Sequence, residues 1–214
     1  MSESRKAPLR GSITWESEGH EGGKFHSRKL HVPSSSSGAT IGRGYDMKLK
    51  SESKVKADLM AAGLDQETAA KLSVCAGKSG DAAKKFITDN KLDSIEISEE
   101  VQVKLFEISY LAEEAEVRRI TQKADVQKKY GKTSWTDIHP SVKQILVDLK
   151  FRGDYTPNSR ALIQKAVMEN DLRELKRVLS DKKYWPNVPT DRFQRRVNYI
   201  NSIPEVVYKL PKPA

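Results

Sequence analysis

From Ser51 to about Asn201, apolar side chains recur every three to four positions in one segment after another, which is the repeat of amphipathic helices. The longest such segment runs from Ser98 to about Lys123, with Val101, Leu105, Ile108, Leu111, Ala115 and Ile120 in helical register. Ser98 followed by Glu99 and Glu100 marks its start, because acidic side chains favour the first turn of a helix. Shorter helices are expected on either side. Val55, Leu59 and Met60 form one apolar face closed by Gly63, and Asp65 caps a helix that turns Ala69, Leu72 and Cys75 inward. Others are expected over Asp81–Asn90, from Pro140 through Leu149, and at about Ser159–Glu169, Asp171–Ser180 and Asp191–Asn201. Pro204, Pro211 and Pro213 mark an extended tail.

The stretch Ser37–Asp46, Ser-Gly-Ala-Thr-Ile-Gly-Arg-Gly-Tyr-Asp, breaks this pattern, with three glycines in ten residues. A weakly helical segment, Pro8–Glu18, precedes it, with Leu9, Ile13 and Trp15 as core candidates and Gly19 as its end. Lys24–Val32 alternates as a short strand would, and Pro33 with the serines after it forms a loop. Ala39–Met47 reads as a second strand, with a bulge or a close backbone approach at Gly42 and Gly44. Alternation along it puts Thr40, Gly42, Gly44 and Asp46 on one face and Ile41, Arg43 and Tyr45 on the other. One face then offers a hydroxyl and a carboxylate around two positions without side chains. The other anchors through Ile41 and Tyr45.

Composition narrows the function classes. The net charge of +9 favours an anionic partner, but the basic residues do not form a block. They alternate with acids, as at Lys143, Asp148, Lys150 and Arg152, which is the pattern of a solvated helix face. Cys75 is the single cysteine, so no intramolecular disulfide can form, and its apolar neighbours make it a buried, inert thiol. No apolar run is long enough to cross a bilayer, and the first ten residues lack the apolar core of a secretory signal. A protein made in the cytoplasm is expected, without stable membrane insertion. His20-Glu21 has no second histidine at helical i, i+4 spacing, which removes the zinc-protease arrangement. His20, His26 and His31 then read as surface or packing residues, and no metal or other cofactor is expected.

Hydrolysis of a glycosidic bond needs one carboxyl that donates a proton to the leaving oxygen and a second group that holds water or charge. Glu18, beside Trp15 near a helix end, suits the acid if it is partly desolvated; Asp46 suits the ionised partner, and Thr40 can orient a water. Glu-Gly at the end of a first helix, followed by Thr-Ile-Gly-x-Gly, resembles the phage-type lysozymes. The fuller pattern, Trp15-Glu-Ser-Glu-Gly19 followed by Ser37–Asp46, is more similar still to the pesticin-type muramidases of bacteriocins, phage lysins and type VI secretion effectors. Lys150-Phe-Arg-Gly-Asp-Tyr-Thr-Pro157 and Trp185 through Arg196 also resemble the C-terminal lobe of that group, so the similarity spans about Ile13 to Tyr199.

The resemblance implies an α+β, predominantly helical, lysozyme-like domain over residues 1–214. Its parts would be an N-terminal lobe with the active-site hairpin (13–97), a linking helix (98–123), a helical C-terminal lobe (124–203) and a tail (204–214). It makes Glu18 the catalytic acid, Asp46 the second carboxylate and Thr40 the water-positioning residue, in an inverting hydrolysis of the β-1,4 bond between N-acetylmuramic acid and N-acetylglucosamine. Glu16 and Glu21 stand close enough to be alternatives to Glu18; Glu18 is preferred because it follows the Trp15 segment and precedes the first helix-ending glycine. The implied partner is the peptidoglycan glycan strand, met in the periplasm by a monomer, with a periplasmic immunity protein if the chain is an injected effector. Nucleic acid is not an expected partner. The rival reading is a non-enzymatic basic helical protein that binds nucleic acid or cell wall. A cysteine peptidase built on Cys75 and His139 is disfavoured, because Cys75 lacks a nucleophile's setting.

Overall fold

The computed structural model of the chain describes residues 6–23 and 26–204. Lys24 and Phe25 of the expected first strand, and Pro211 and Pro213 of the expected tail, lie outside the described residues. The fold is predominantly helical with a small two-stranded antiparallel sheet, as the sequence pattern requires. In chain order the elements are α1 (Ser12–Ser17), β1 (Thr40–Ile41), β2 (Tyr45–Asp46), α2 (Glu52–Ala62), α3 (Gln66–Ser73), α4 (Gly80–Asp89) and α5 (Glu99–Thr121). They continue with α6 (Ala124–Tyr130), α7 (Pro140–Arg152), α8 (Pro157–Glu169), α9 (Leu172–Leu179) and α10 (Thr190–Ser202). No described helix is long and apolar enough to cross a membrane.

The helix ends follow local chemistry. Ser51 and Asp65 accept the backbone N–H groups of Lys54 and Thr68 at the starts of α2 and α3. Thr156 and Ser159 form a reciprocal capping box at α8, where Pro157 occupies the first turn. The 23-residue α5 begins where the Ser-Glu-Glu signal placed it, with the Ser98 hydroxyl accepting from Val101 N–H. Helix α6 was not expected from the pattern: of its seven residues only Val126 is buried, so it carries no apolar stripe to read.

The chain forms two compact units, residues 1–111 and 112–214, and the division falls within α5. In the first unit a core of Leu30, Val32, Ala39, Ile41, Tyr45 and Met47 meets Val55, Leu59, Leu72, Ile97 and Leu105. Four expected apolar-face residues are instead exposed: Leu9 by 81%, Met60 by 43%, Leu111 by 52%, and Ala115. Met60, Leu111 and Ala115 lie at the edge of their apolar stripes, where a period of 3.6 drifts off the buried face, while Leu9 precedes α1, which begins only at Ser12, and so has no helical face to follow. Cys75 is fully buried, and burial pushes its thiol up to about 11, so it is uncharged near neutrality.

The second unit packs Ile145, Leu146, Leu149, Ile163, Val167, Leu175, Val178 and Ile200 from α7 to α10. Its polar interior corrects the reading of α7 as a solvated face. Asp148 has no exposed surface and takes hydrogen bonds from two buried arginines, Arg192 (2.8 Å) and Arg196 (2.5 Å). Lys150 pairs with Glu113, and Arg152 with Asp154.

Candidate active site

The stretch expected as one strand from Ala39 to Met47 folds back on itself. β1 and β2 pair antiparallel in the register Thr40↔Asp46 and Ile41↔Tyr45, joined by the three residues Gly42-Arg43-Gly44. Gly42 (φ +65°) and Gly44 (φ +82°) occupy left-handed backbone in this turn, which glycine enters without steric penalty. Thr40 and Asp46 therefore share a face because they are cross-strand partners, while Gly42 and Gly44 belong to the turn. The expected anchor is observed. Ile41 and Tyr45 are buried, and the Tyr45 hydroxyl donates to Asp58 of α2 at 2.8 Å.

A third extended segment lies against the hairpin. His31 N–H donates to Thr40 O (3.0 Å) and Thr40 N–H to His31 O (2.8 Å), so these two form a hydrogen-bonded antiparallel pair. With both of its backbone groups spent on His31, Thr40 meets Asp46 as a non-hydrogen-bonded pair, the kind that brings side chains closest. The expected strand over Lys24–Val32 is reduced, among the described residues, to single bridges at His26, Lys29 and His31.

Asp46 does not sit on an open strand. Its Oδ2 accepts from Gly38 N–H (3.0 Å) and its Oδ1 from Lys48 N–H (2.7 Å), which fixes the carboxylate with one lone pair engaged on each oxygen. The buried Thr40 hydroxyl donates to Gly38 O at 3.1 Å, leaving its oxygen to accept. Gly38 is thus part of the site by close approach. A Cβ there would stand 2.2 Å from Asp46 Oδ1 and 2.7 Å from the Lys48 backbone nitrogen. Gly38→Ala is expected to lower stability by about 1–3 kcal/mol in urea unfolding, the range for overpacking a filled site. Wild-type stability would show that the hairpin yields freely at this point.

Arg43, assigned by alternation to the anchor face, instead reaches out from the turn. Its Nη1 donates to Trp15 O at 2.8 Å, and its guanidinium lies 4.2 Å from the centre of the Trp15 ring. Trp15 in turn meets Phe106 of α5 edge-on at 5.2 Å. Gly42 N–H also donates to Ser27 O (2.6 Å), and Ser27 N–H to His20 O (3.0 Å). The hairpin tip is therefore fastened to both sides of the Glu18-Gly19 step. Glu18 itself is the half-buried C-cap of α1, its N–H bonded to Thr14 O.

The three neighbouring glutamates differ in environment. Glu16 is exposed on α1. Glu21 is exposed too, but it accepts from Arg28 Nε (2.8 Å) and Gln102 Nε2 (2.9 Å), with His26 at 3.6 Å. Burial alone would raise its pKa, but the hydrogen bonds from Arg28 and Gln102 and the charges of Arg28 and His26 outweigh that and hold it below the usual carboxylate value. Glu21 is thus kept ionised. His26 also contacts Glu96 at 3.3 Å, which makes it part of a surface ion network. Among the described residues no group of three His, Cys, Asp or Glu side chains is placed to hold a metal ion.

No curated protein matches this chain. A family model described as Domain of unknown function (DUF8812) matches residues 11–197, from the N-cap of α1 into α10, and with it α1, the hairpin and the buried arginine network. The chain belongs to that family.

Proposed function

We propose that the chain is a muramidase of the pesticin type with a lysozyme-like fold, cleaving the β-1,4 bond between N-acetylmuramic acid and N-acetylglucosamine in peptidoglycan. The observation that carries this reading is the Thr40–Asp46 pair, on a hairpin whose tip Arg43 ties to the helix end bearing Glu18. Glu18 is the general acid, because the other two candidates are exposed and Glu21 is also held as a carboxylate. Thr40 and Asp46 hold the attacking water. As water oxygen bonds to the anomeric carbon, the bond from that carbon to the leaving oxygen breaks. The leaving oxygen takes the proton of Glu18, and Asp46 takes the proton released by the water.

Both Asp46 oxygens already accept backbone amides, which orients them as acceptors and tempers them as nucleophiles. Inversion at the anomeric carbon is therefore expected. Purified peptidoglycan treated with the protein should yield, by mass spectrometry, disaccharide-peptides ending in reducing N-acetylmuramic acid. NMR of fresh product should show the inverted anomer. Peptide cleavage or the absence of products would discard the muramidase reading, and net retention would make Asp46 a nucleophile. The biological role consistent with this chemistry is an antibacterial effector or a phage-type lysin that acts on the wall from the periplasm.

A further inference from the structure

The acid and the water-holding pair come from different elements, and one side chain spans the gap between them. Glu18 caps α1, a helix of six residues with no basic residue in its last turn, so the carbonyls at its end need donors from elsewhere. Glu18 itself has left the helical conformation (φ −106°, ψ 105°). The helix repeat therefore no longer dictates where its side chain goes.

Arg43 supplies what α1 lacks. Its Nη1 donates to Trp15 O at 2.8 Å and lies 3.5 Å from Gly19 O, one carbonyl on each side of Glu18. The guanidinium also covers the Trp15 ring, and Gly19 packs against the aliphatic stem: a Cβ on Gly19 would stand 3.5 Å from Arg43 Cγ and 3.0 Å from Ser27 Cβ. At its other end Arg43 is the apex of the hairpin turn, three positions from both Thr40 and Asp46. The path from the water-holding pair to the acid is one turn and one side chain. A fastener alone would not need this residue. The Arg43 side chain is only 15% exposed, burial works against its charge, and its Nε is buried without a hydrogen-bond partner among the described residues. Such an arrangement costs stability, and a local rule broken at a cost is what a functional site shows.

We propose that Arg43 is the positioning residue of the general acid, its grip on the two carbonyls holding Glu18 at a fixed distance and angle from Thr40 and Asp46. The role rests on the muramidase reading above. Arg43 touches neither sugar nor water and takes no proton. It acts through Glu18, which must meet the leaving oxygen while the opposite pair presents the water. A displacement of about 1 Å at such a site costs about 10²-fold in rate.

The test separates proton donation from the other steps. The 4-nitrophenyl β-glycoside of the N-acetylglucosaminyl-N-acetylmuramic acid disaccharide carries a leaving group that departs as an anion and needs no proton from Glu18. Arg43→Met keeps an aliphatic stem against Gly19 and removes every donor. It is expected to lower kcat on purified peptidoglycan about 10²-fold with KM within about twofold of wild type, and to lower kcat on the aryl glycoside by no more than about threefold. Unfolding midpoints verify that the comparison is between folded proteins. If Arg43→Met does not fold, Arg43→Lys takes its place with the same split at about tenfold, because a compact ammonium reaches one carbonyl and not two. Wild-type kcat on peptidoglycan in the Met variant, together with an inactive Glu18→Gln, overturns the role of Arg43 and leaves the muramidase reading intact. Equal loss on both substrates also overturns it, since Arg43 would then serve packing, and so does a change confined to KM, which would place Arg43 on the substrate. No turnover of peptidoglycan by the wild-type protein overturns both.

Discussion

Glu18→Gln is expected to lower kcat on purified peptidoglycan by about 10²- to 10⁴-fold, the usual contribution of a positioned general acid, with KM and the unfolding midpoint little changed. Glutamine has nearly the shape of glutamic acid and cannot give a proton to the leaving oxygen, so the loss belongs to the transition state rather than to binding. The prediction is specific among three glutamates within six residues. Glu16→Gln should be silent, because that side chain is exposed on α1. Glu21→Gln should cost stability rather than chemistry, because Glu21 holds Arg28 and Gln102 and lies 3.9 Å from Arg43. An active Glu18→Gln with an inactive, folded Glu21→Gln would transfer the acid's role to Glu21 and require its ion network to open around the substrate. Activity in all three variants would remove the glycosidase mechanism.

Much of the hairpin was legible because its signals are local. The parity of the spacing survives a wrong element. With a three-residue turn, residues six apart become cross-strand partners, so Thr40 and Asp46 share a face whether the stretch is one strand or a hairpin. Arg43 was misplaced for the same reason. Alternation assigns every odd position to the anchor face, but a residue at a turn apex follows no strand and is free to reach Trp15. The place of His31 beside Thr40 was not legible, since it depends on a backbone pairing across nine positions and an intervening serine loop. Period-2 patterning gives the face of a residue within its own segment and is silent about which segment lies alongside.

The same limit is sharpest at Asp148, whose charge read as solvent-facing. On α7 it stands three residues after Ile145 and one before Leu149, within the buried stripe, and its partners lie 44 and 48 positions away. Arg196 extends the network to Asp154 (2.8 Å), and Arg152 joins Asp154 to the carbonyl of Asn187. The segments Lys150–Pro157 and Trp185–Arg196, which carry the C-terminal part of the sequence resemblance, are thus joined by one set of alternating charges. Their shared pattern is a packing requirement of the second unit.

Asp148→Ala is therefore expected to destabilise this unit by about 3–5 kcal/mol, because two nearly fully buried guanidiniums lose the carboxylate that compensates them. The charges left behind carry most of the effect. Replacing all three partners with apolar residues of similar size, as in Asp148→Leu with Arg192→Met and Arg196→Met, is expected to recover most of the loss, since no unpaired charge then stays inside. Added salt should do little for Asp148→Ala, because mobile ions do not reach a pair with almost no exposed surface. Urea unfolding followed by tryptophan fluorescence measures this directly, since Trp185 is buried in the same unit. A loss below about 1 kcal/mol, the range of an exposed pair, would mean that water reaches the arginines and that the network is a surface feature. A triple variant as unstable as Asp148→Ala would instead mean that the network's geometry, and not its charge balance, holds α7 against α10.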